Sequence, residues 1–242
     1  MTTDRELIEV GKTLSRSKTA HVGRVHAGLA QSYAADLARV GWTALDTNDL
    51  IKSIADLEAA VSDQAKARDE AHLSSATLDQ AVIETKGFLR KIRAALPAVR
   101  RTVGKGDSVL DMFKVGAALG SSAAKLSSYL AKIRPGVEKL ESQLRDLFEG
   151  VSPLPQLDVL KTKLDAAATA SSVAKLRLPE STAAINKAKG LVADKLRGLN
   201  ERARIVFVEH PELYKQFSLD NLASARSPSV VVGPPITPPS TP

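Results

Sequence analysis

Seven cations and no acid occupy residues 86–105: Lys86, Arg90, Lys91, Arg93, Arg100, Arg101 and Lys105. A row of guanidinium and ammonium groups does one kind of chemistry well, the holding of phosphate, carboxylate or sulfate oxygens. At about 100° per residue, Phe88, Leu89, Ile92, Ala95, Leu96, Val99 and Val103 form an apolar arc about 120° wide. Lys86, Arg90, Arg93, Arg100, Arg101 and Lys105 spread over about 140° on the opposite side, with Lys91 between the two. The whole chain has a net charge of +7, so this stretch alone accounts for it and the rest sums to about zero.

Such a face has three uses. Its charges can be neutralised by acids elsewhere, such as Asp63, Asp69 and Glu70, leaving a solvated surface. It can hold nucleic acid or another polyanion, in which case six phosphate contacts give a log–log salt slope of about −5. It can also lie on an anionic membrane surface, although the apolar arc that a lipid-binding helix inserts is here needed for a core. The polyanion-binding candidates are therefore Lys86, Arg90, Arg93, Arg100, Arg101 and Lys105. No recognised DNA- or RNA-binding motif accompanies them, and no aromatic residues are interleaved for base stacking.

Other chemistries find little support. With no cysteine there is no disulfide, thiolate nucleophile or zinc–thiolate site. His21 and His26 are five apart and point about 140° away from each other on a helix, so they do not form a metal-binding pair at i, i+4. Asp69 and His72 can face together, but a di-iron bundle needs a second such pair and two more inward carboxylates. Neither GxxxxGK[ST], GxGxxG nor GxSxG occurs. A non-enzymatic protein without cofactor or metal is the expectation.

The elements that must carry the stripe are helical. Aromatics make up only 4% of a chain rich in Ala, Leu, Lys and Arg, which favours helices over sheets. Helical spacing predicts a first helix from Asp4 to about Arg39, closed by Gly41. Asp46, Thr47 and Asp49 are N-cap candidates for a second, which can run from 49 to 104 and span roughly 80 Å if unbroken. The apolar-poor stretch 62–77 is either an exposed arm or a break near Ser74 and Ser75. Pro97 is expected to kink this helix. Gly104, Gly106 and Asp107 mark a turn into a third helix, from about Ser108 to Ile133, with Pro135 and Gly136 interrupting and a short helix to Gly150. SPLPQ at 152–156 reads as a connector to helices at about 156–177 and 180–209, and Pro211 opens a last short helix to about 224. Residues 227–242, SPSVVVGPPITPPSTP, read as an extended, polyproline-like tail.

One internal echo bears on organisation. FLRKIRAALPAVRRTVGKGDSVLDMF at 88–113 aligns without a gap on VADKLRGLNERARIVFVEHPELYKQF at 192–217, sharing Lys91/Lys195, Arg93/Arg197, Arg100/Arg204 and Phe113/Phe217. Each is an amphipathic helix, a turn and a short segment delivering a Phe. The second copy adds Asp194 and Glu201, so the high charge of the first is not something the shared pattern requires.

The expectation is an all-α protein of long antiparallel helices in a bundle, with related halves at 1–115 and 116–224 and a tail at 225–242. Gly116 and Gly120, at the ends of GAALG, and the plugs Phe113 and Phe217 are helix-packing or interface candidates. The expected role is that of a structural or protein-interaction protein, able to self-associate. Binding of nucleic acid or another polyanion is the alternative, and peripheral membrane contact the third. No apolar run near 18 residues and no apolar leader are present, so a cytoplasmic location is expected.

Overall fold

The computed structural model describes residues 2–103, Phe113 and 120–223. Among these the protein is all-α. Its helices are α1 (Asp4–Lys12), α2 (Arg16–Ser32), α3 (Ala34–Ala38), α4 (Ala44–Val103), α5 (Ala123–Lys139), α6 (Glu141–Leu147), α7 (Pro153–Val206), α8 (Pro211–Lys215) and α9 (Asp220–Ala223). Lys105, Gly116 and the tail at 225–242 lie outside the described residues.

Helix α4 runs unbroken for 60 residues. Its N-cap is Thr43, ahead of the three caps proposed from sequence. The Thr43 backbone N–H donates to Asp46 Oδ2 at 2.7 Å, and the Asp46 N–H donates back to Thr43 Oγ1 at 3.4 Å. This reciprocal pair satisfies two donors that a helix start leaves orphaned. The apolar-poor stretch 62–77 stays helical and does not break at Ser74. It contains neither Gly nor Pro, its Gln, Lys, Arg, Glu and Ala are good helix formers, and its inward positions are filled by Gln64 and Ala71.

The prolines interrupt less than the sequence suggests. Pro97 lies inside α4, Pro135 inside α5 and Pro179 inside α7. All three are exposed. A proline on the exposed side of a helix strands a carbonyl four residues back on about the same side, where solvent can replace the lost bond. Helix α7 thus runs through both expected helices and starts at Pro153, within the segment expected to be a connector. The first expected helix is instead divided into α1, α2 and α3.

The chain forms two compact units, one of residues 1–62 with 182–242 and one of residues 63–181. The division at 115/116 does not follow them. Each unit takes its long-helix segments from both halves, because α4 and α7 each pass from one unit into the other. In the first unit, Leu37, Trp42, Leu50 and Leu57 pack with Val192, Leu196, Phe207 and Phe217. In the second, Phe88, Leu89, Ile92 and Phe113 pack with Leu126, Leu130, Leu144 and Leu157. Each docking Phe therefore closes a core built on the other half's short helices. The Phe217 ring stands edge-on to His26 at 6.1 Å and lies 6.1 Å from Tyr33.

Buried positions recur along the chain. Thr19 and Leu126, His26 and Ile133, Leu37 and Leu144, Leu50 and Leu157, and Leu57 and Leu164 are five buried pairs spaced by 107 residues. Farther along, Phe88 and Val192, Leu89 and Ala193, Ile92 and Leu196, and Phe113 and Phe217 are buried pairs at a spacing of 104. The change of three residues is close to one helical turn, so it leaves the same face inward.

Backbones come closest where α1 crosses α7. A Cβ on Gly11 would sit 1.8 Å from the Asn186 carbonyl oxygen, and one on Gly190 would sit 2.1 Å from that of Leu7. Only glycine at both positions allows this crossing. Beside it, the buried Lys189 ammonium donates to the Leu14 carbonyl at 2.8 Å. Burial, reinforced by Arg16, lowers its pKa from the ordinary lysine value.

Candidate polyanion interface

The second unit positions the stripe. Glu84 pairs with Lys163 and Glu70 with Arg177, so fourteen residues back along α4 are fourteen forward along α7, and the two helices are antiparallel. Arg134 pairs with Asp158, and Ser127 hydrogen-bonds Asp165, so α5 is antiparallel to α7 by the same reasoning. Helices α4 and α5 therefore run in the same sense.

Their contact is made by Arg93 and Tyr129. The guanidinium carbon stands 5.3 Å from the Tyr129 ring centroid, and Arg93 Nη2 donates to the phenol oxygen at 3.2 Å. The same hydroxyl donates to the backbone carbonyl of the buried Phe113. Arg93 thus belongs to the packing of the unit as much as to its surface.

From this seam the cations fan outward on both sides. On α4, Lys86 and Arg100 lie within about 20° of Arg93, and Arg90 and Arg101 about 60° and 80° farther from the core residues Leu89, Ile92 and Leu96. On α5, Lys125, Lys132 and Lys139 lie about 40°, 60° and 80° from Tyr129, again away from the core residues Leu126, Leu130 and Ile133. The rotation is opposite on two helices of the same sense, so both sets face one outer side.

Arg90, Arg100, Arg101, Lys125, Lys132 and Lys139 are exposed and Lys86 is half-buried. None of these seven forms an ion pair among the described residues. Of the three acids expected as neutralising partners, Asp63 meets Lys66 and Glu70 meets Arg177, and Asp69 forms no ion pair with the stripe among the described residues. Residues 85–103 and 120–137 contain no acid, and Glu138 turns to Arg134 on the side toward α7. Arg100 and Arg101 also sit in the last turn of α4, where the helix dipole favours cations. Lys139 has the same place in the last turn of α5, but that local preference does not extend to Lys86, Arg90, Lys125 or Lys132.

The lysines of α5 escaped the sequence reading, and a signal for them exists. Lys86, Arg93 and Arg100 are spaced by seven, and so are Lys125, Lys132 and Lys139. A seven-residue repeat drifts only about 20° per step on a straight helix, so each set makes one row.

The remaining candidates have other surroundings. Phe113 and Phe217 are fully buried. Gly120 abuts the first turn of α5, where an added Cβ would come within 2.8 Å of Lys125 Cβ, so the neighbour there is local and not a separate helix. At Gly190 and Asp194, 104 residues beyond Lys86 and Arg90, helix α1 covers α7, with Thr2 donating to Asp194 Oδ1 at 3.3 Å. At these two positions the second stretch carries no cation.

A depression in the first unit is lined by Ser15, Ser17, Arg24, Leu57 and Glu58. Arg16, Arg24 and Glu58 are its charged residues, and Arg24 pairs with Glu58. Among the described residues no group of three or more His, Asp or Glu is placed to hold a metal ion, and no helix is long and apolar enough to cross a membrane. No protein-family model, curated protein or solved structure matches the chain.

Proposed function

We propose that this is a non-enzymatic helical interaction protein whose partner is polyanionic and is held on the outer face of α4 and α5. One observation carries the reading: two seven-spaced cationic rows, from helices separated in sequence, border a single contact, and no residue of 85–103 or 120–137 is acidic. Grouping like charges costs folding energy through repulsion, and among the described residues these seven cations gain no ion pair in return. An anionic partner supplies the missing counter-charge. The recurrence of buried positions at spacings of 107 and 104 supports a second element of the reading, that the chain consists of two related copies. Only the copy ending in 88–113 carries the stripe, so the charge is an addition to a shared scaffold.

The test is retention on immobilised heparin together with titration by inorganic polyphosphate. The wild-type chain should bind both and be released by salt. The triple variant Arg90→Gln, Arg100→Gln, Arg101→Gln should elute at clearly lower salt with its helical circular dichroism intact. Equal retention of variant and wild type would refute the proposal.

A further inference from the structure

The geometry points to double-stranded nucleic acid as the polyanion, gripped by its phosphate backbone without reading of base sequence. This rests on the polyanion reading above and adds the class of partner.

The surface between the cations discriminates among polyanions. On the outer side of α4 the intervening residues are Gly87, Ala94, Pro97 and Ala98, and on α5 they are Ser128 and Ala131. Small residues let a rigid rod approach the cationic groups closely. A bilayer would ask for large apolar side chains to insert, and among the described residues only Ile83, 62% exposed, stands near this face. Single strands are held by stacking bases on free aromatic rings. The one aromatic residue at the seam is Tyr129, with its face covered by Arg93 and its hydroxyl bonded to Phe113. Duplex phosphates need neither insertion nor stacking.

The dimensions fit as well. Lys86 to Arg101 spans fifteen residues of α4, or roughly 22 Å along the axis. That is comparable with the diameter of a duplex, so a helix pair lying across it can reach both strands. Three of the cations, Arg90, Arg100 and Arg101, are arginines, whose fork matches phosphate oxygens. No polar side chain of the Asn or Gln type, which would pair with base edges, stands among them. Contact is therefore with the backbone alone.

The experiment is fluorescence anisotropy of the full chain with two 20-base-pair duplexes of unrelated sequence, one single strand, and vesicles containing anionic phosphatidylserine. Polyphosphate is titrated in parallel. The expected result is equal affinity for the two duplexes and weaker binding of the single strand and the vesicles. Affinity for duplex should fall on the order of 10³-fold between 50 and 200 mM salt if six phosphates are engaged. The variant Arg90→Gln, Arg100→Gln, Lys132→Gln should lower the steepness of the salt dependence by about three units of slope. Lys175→Gln, an exposed lysine of α7 outside this face, should leave it unchanged. Binding of polyphosphate without binding of duplex would overturn the duplex assignment and leave the polyanion reading standing. Preference for vesicles or for the single strand would overturn it in favour of those partners. Absence of binding to every probe would remove both proposals.

Discussion

Arg93 lies over the ring of Tyr129 and also donates to its hydroxyl, while that hydroxyl donates onward to the carbonyl of Phe113. Three segments far apart in sequence are joined by this one phenol. Tyr129→Phe keeps the ring under the guanidinium and removes both hydrogen bonds, leaving the Phe113 carbonyl without that donor. The expected loss is about 1–3 kcal/mol of unfolding free energy, measured by urea denaturation. An unchanged midpoint would mean that solvent replaces the hydroxyl.

Glycine has opposite meanings at two sites. Gly11→Ala places a methyl group 1.8 Å from the Asn186 carbonyl oxygen, and neither backbone can yield without parting α1 from α7. A destabilisation of about 1–3 kcal/mol is expected, at or beyond the upper end if α1 detaches. Gly28, inside α2, has nothing within 4 Å of an added Cβ. Gly28→Ala should stabilise by up to about 1 kcal/mol through helix propensity. Thermal denaturation of the pair should move the melting temperature in opposite directions.

The docking phenylalanines should matter comparably. Phe113 and Phe217 are both fully buried. Truncation of either to Ala should cost about 3–5 kcal/mol. Because each belongs to a different compact unit, hydrogen exchange should localise the loosening, to 1–62 and 182–223 for Phe217→Ala and to 63–181 for Phe113→Ala. Uniform loosening in both variants would show that the units unfold as one.

Acid should weaken the helix starts. Hydrogen bonds from the backbone and side chain of Thr43 hold the Asp46 carboxyl below its ordinary value, and those from Thr3 do the same for Glu6. A carboxyl depressed in the folded state contributes stability that is present above its unfolded pKa and is lost as pH falls through the folded one. Stability should therefore decline below about pH 4. Asp46→Asn should show a shallower decline between pH 5 and pH 2, read from urea midpoints. A decline as steep as that of the wild type would exclude this cap as a contributor.

Much of this was legible in the amino-acid sequence. The scarcity of aromatics and the apolar spacing dictated an all-α fold, because helix propensity and amphipathic period are local properties. The inward face of 88–99 and the exposed cations opposite it were likewise readable, since both follow from rotation along a single helix. The plugs Phe113 and Phe217 stood out through the pattern around them.

Tertiary structure decided the rest. Whether Pro135 or Pro179 ends a helix depends on which way its stranded carbonyl faces, and that is set by packing. Each compact unit combines segments distant along the chain, 1–62 with 182–242 in one case, and chain order does not show which segments close on each other. Arg93 was read as one more surface cation, but Tyr129, 36 residues away, draws it into the seam. The lysines of α5 come to face the same outer side for the same reason. Rotation along one helix can be read from one helix, but which second helix lies beside it depends on contacts between residues distant in sequence.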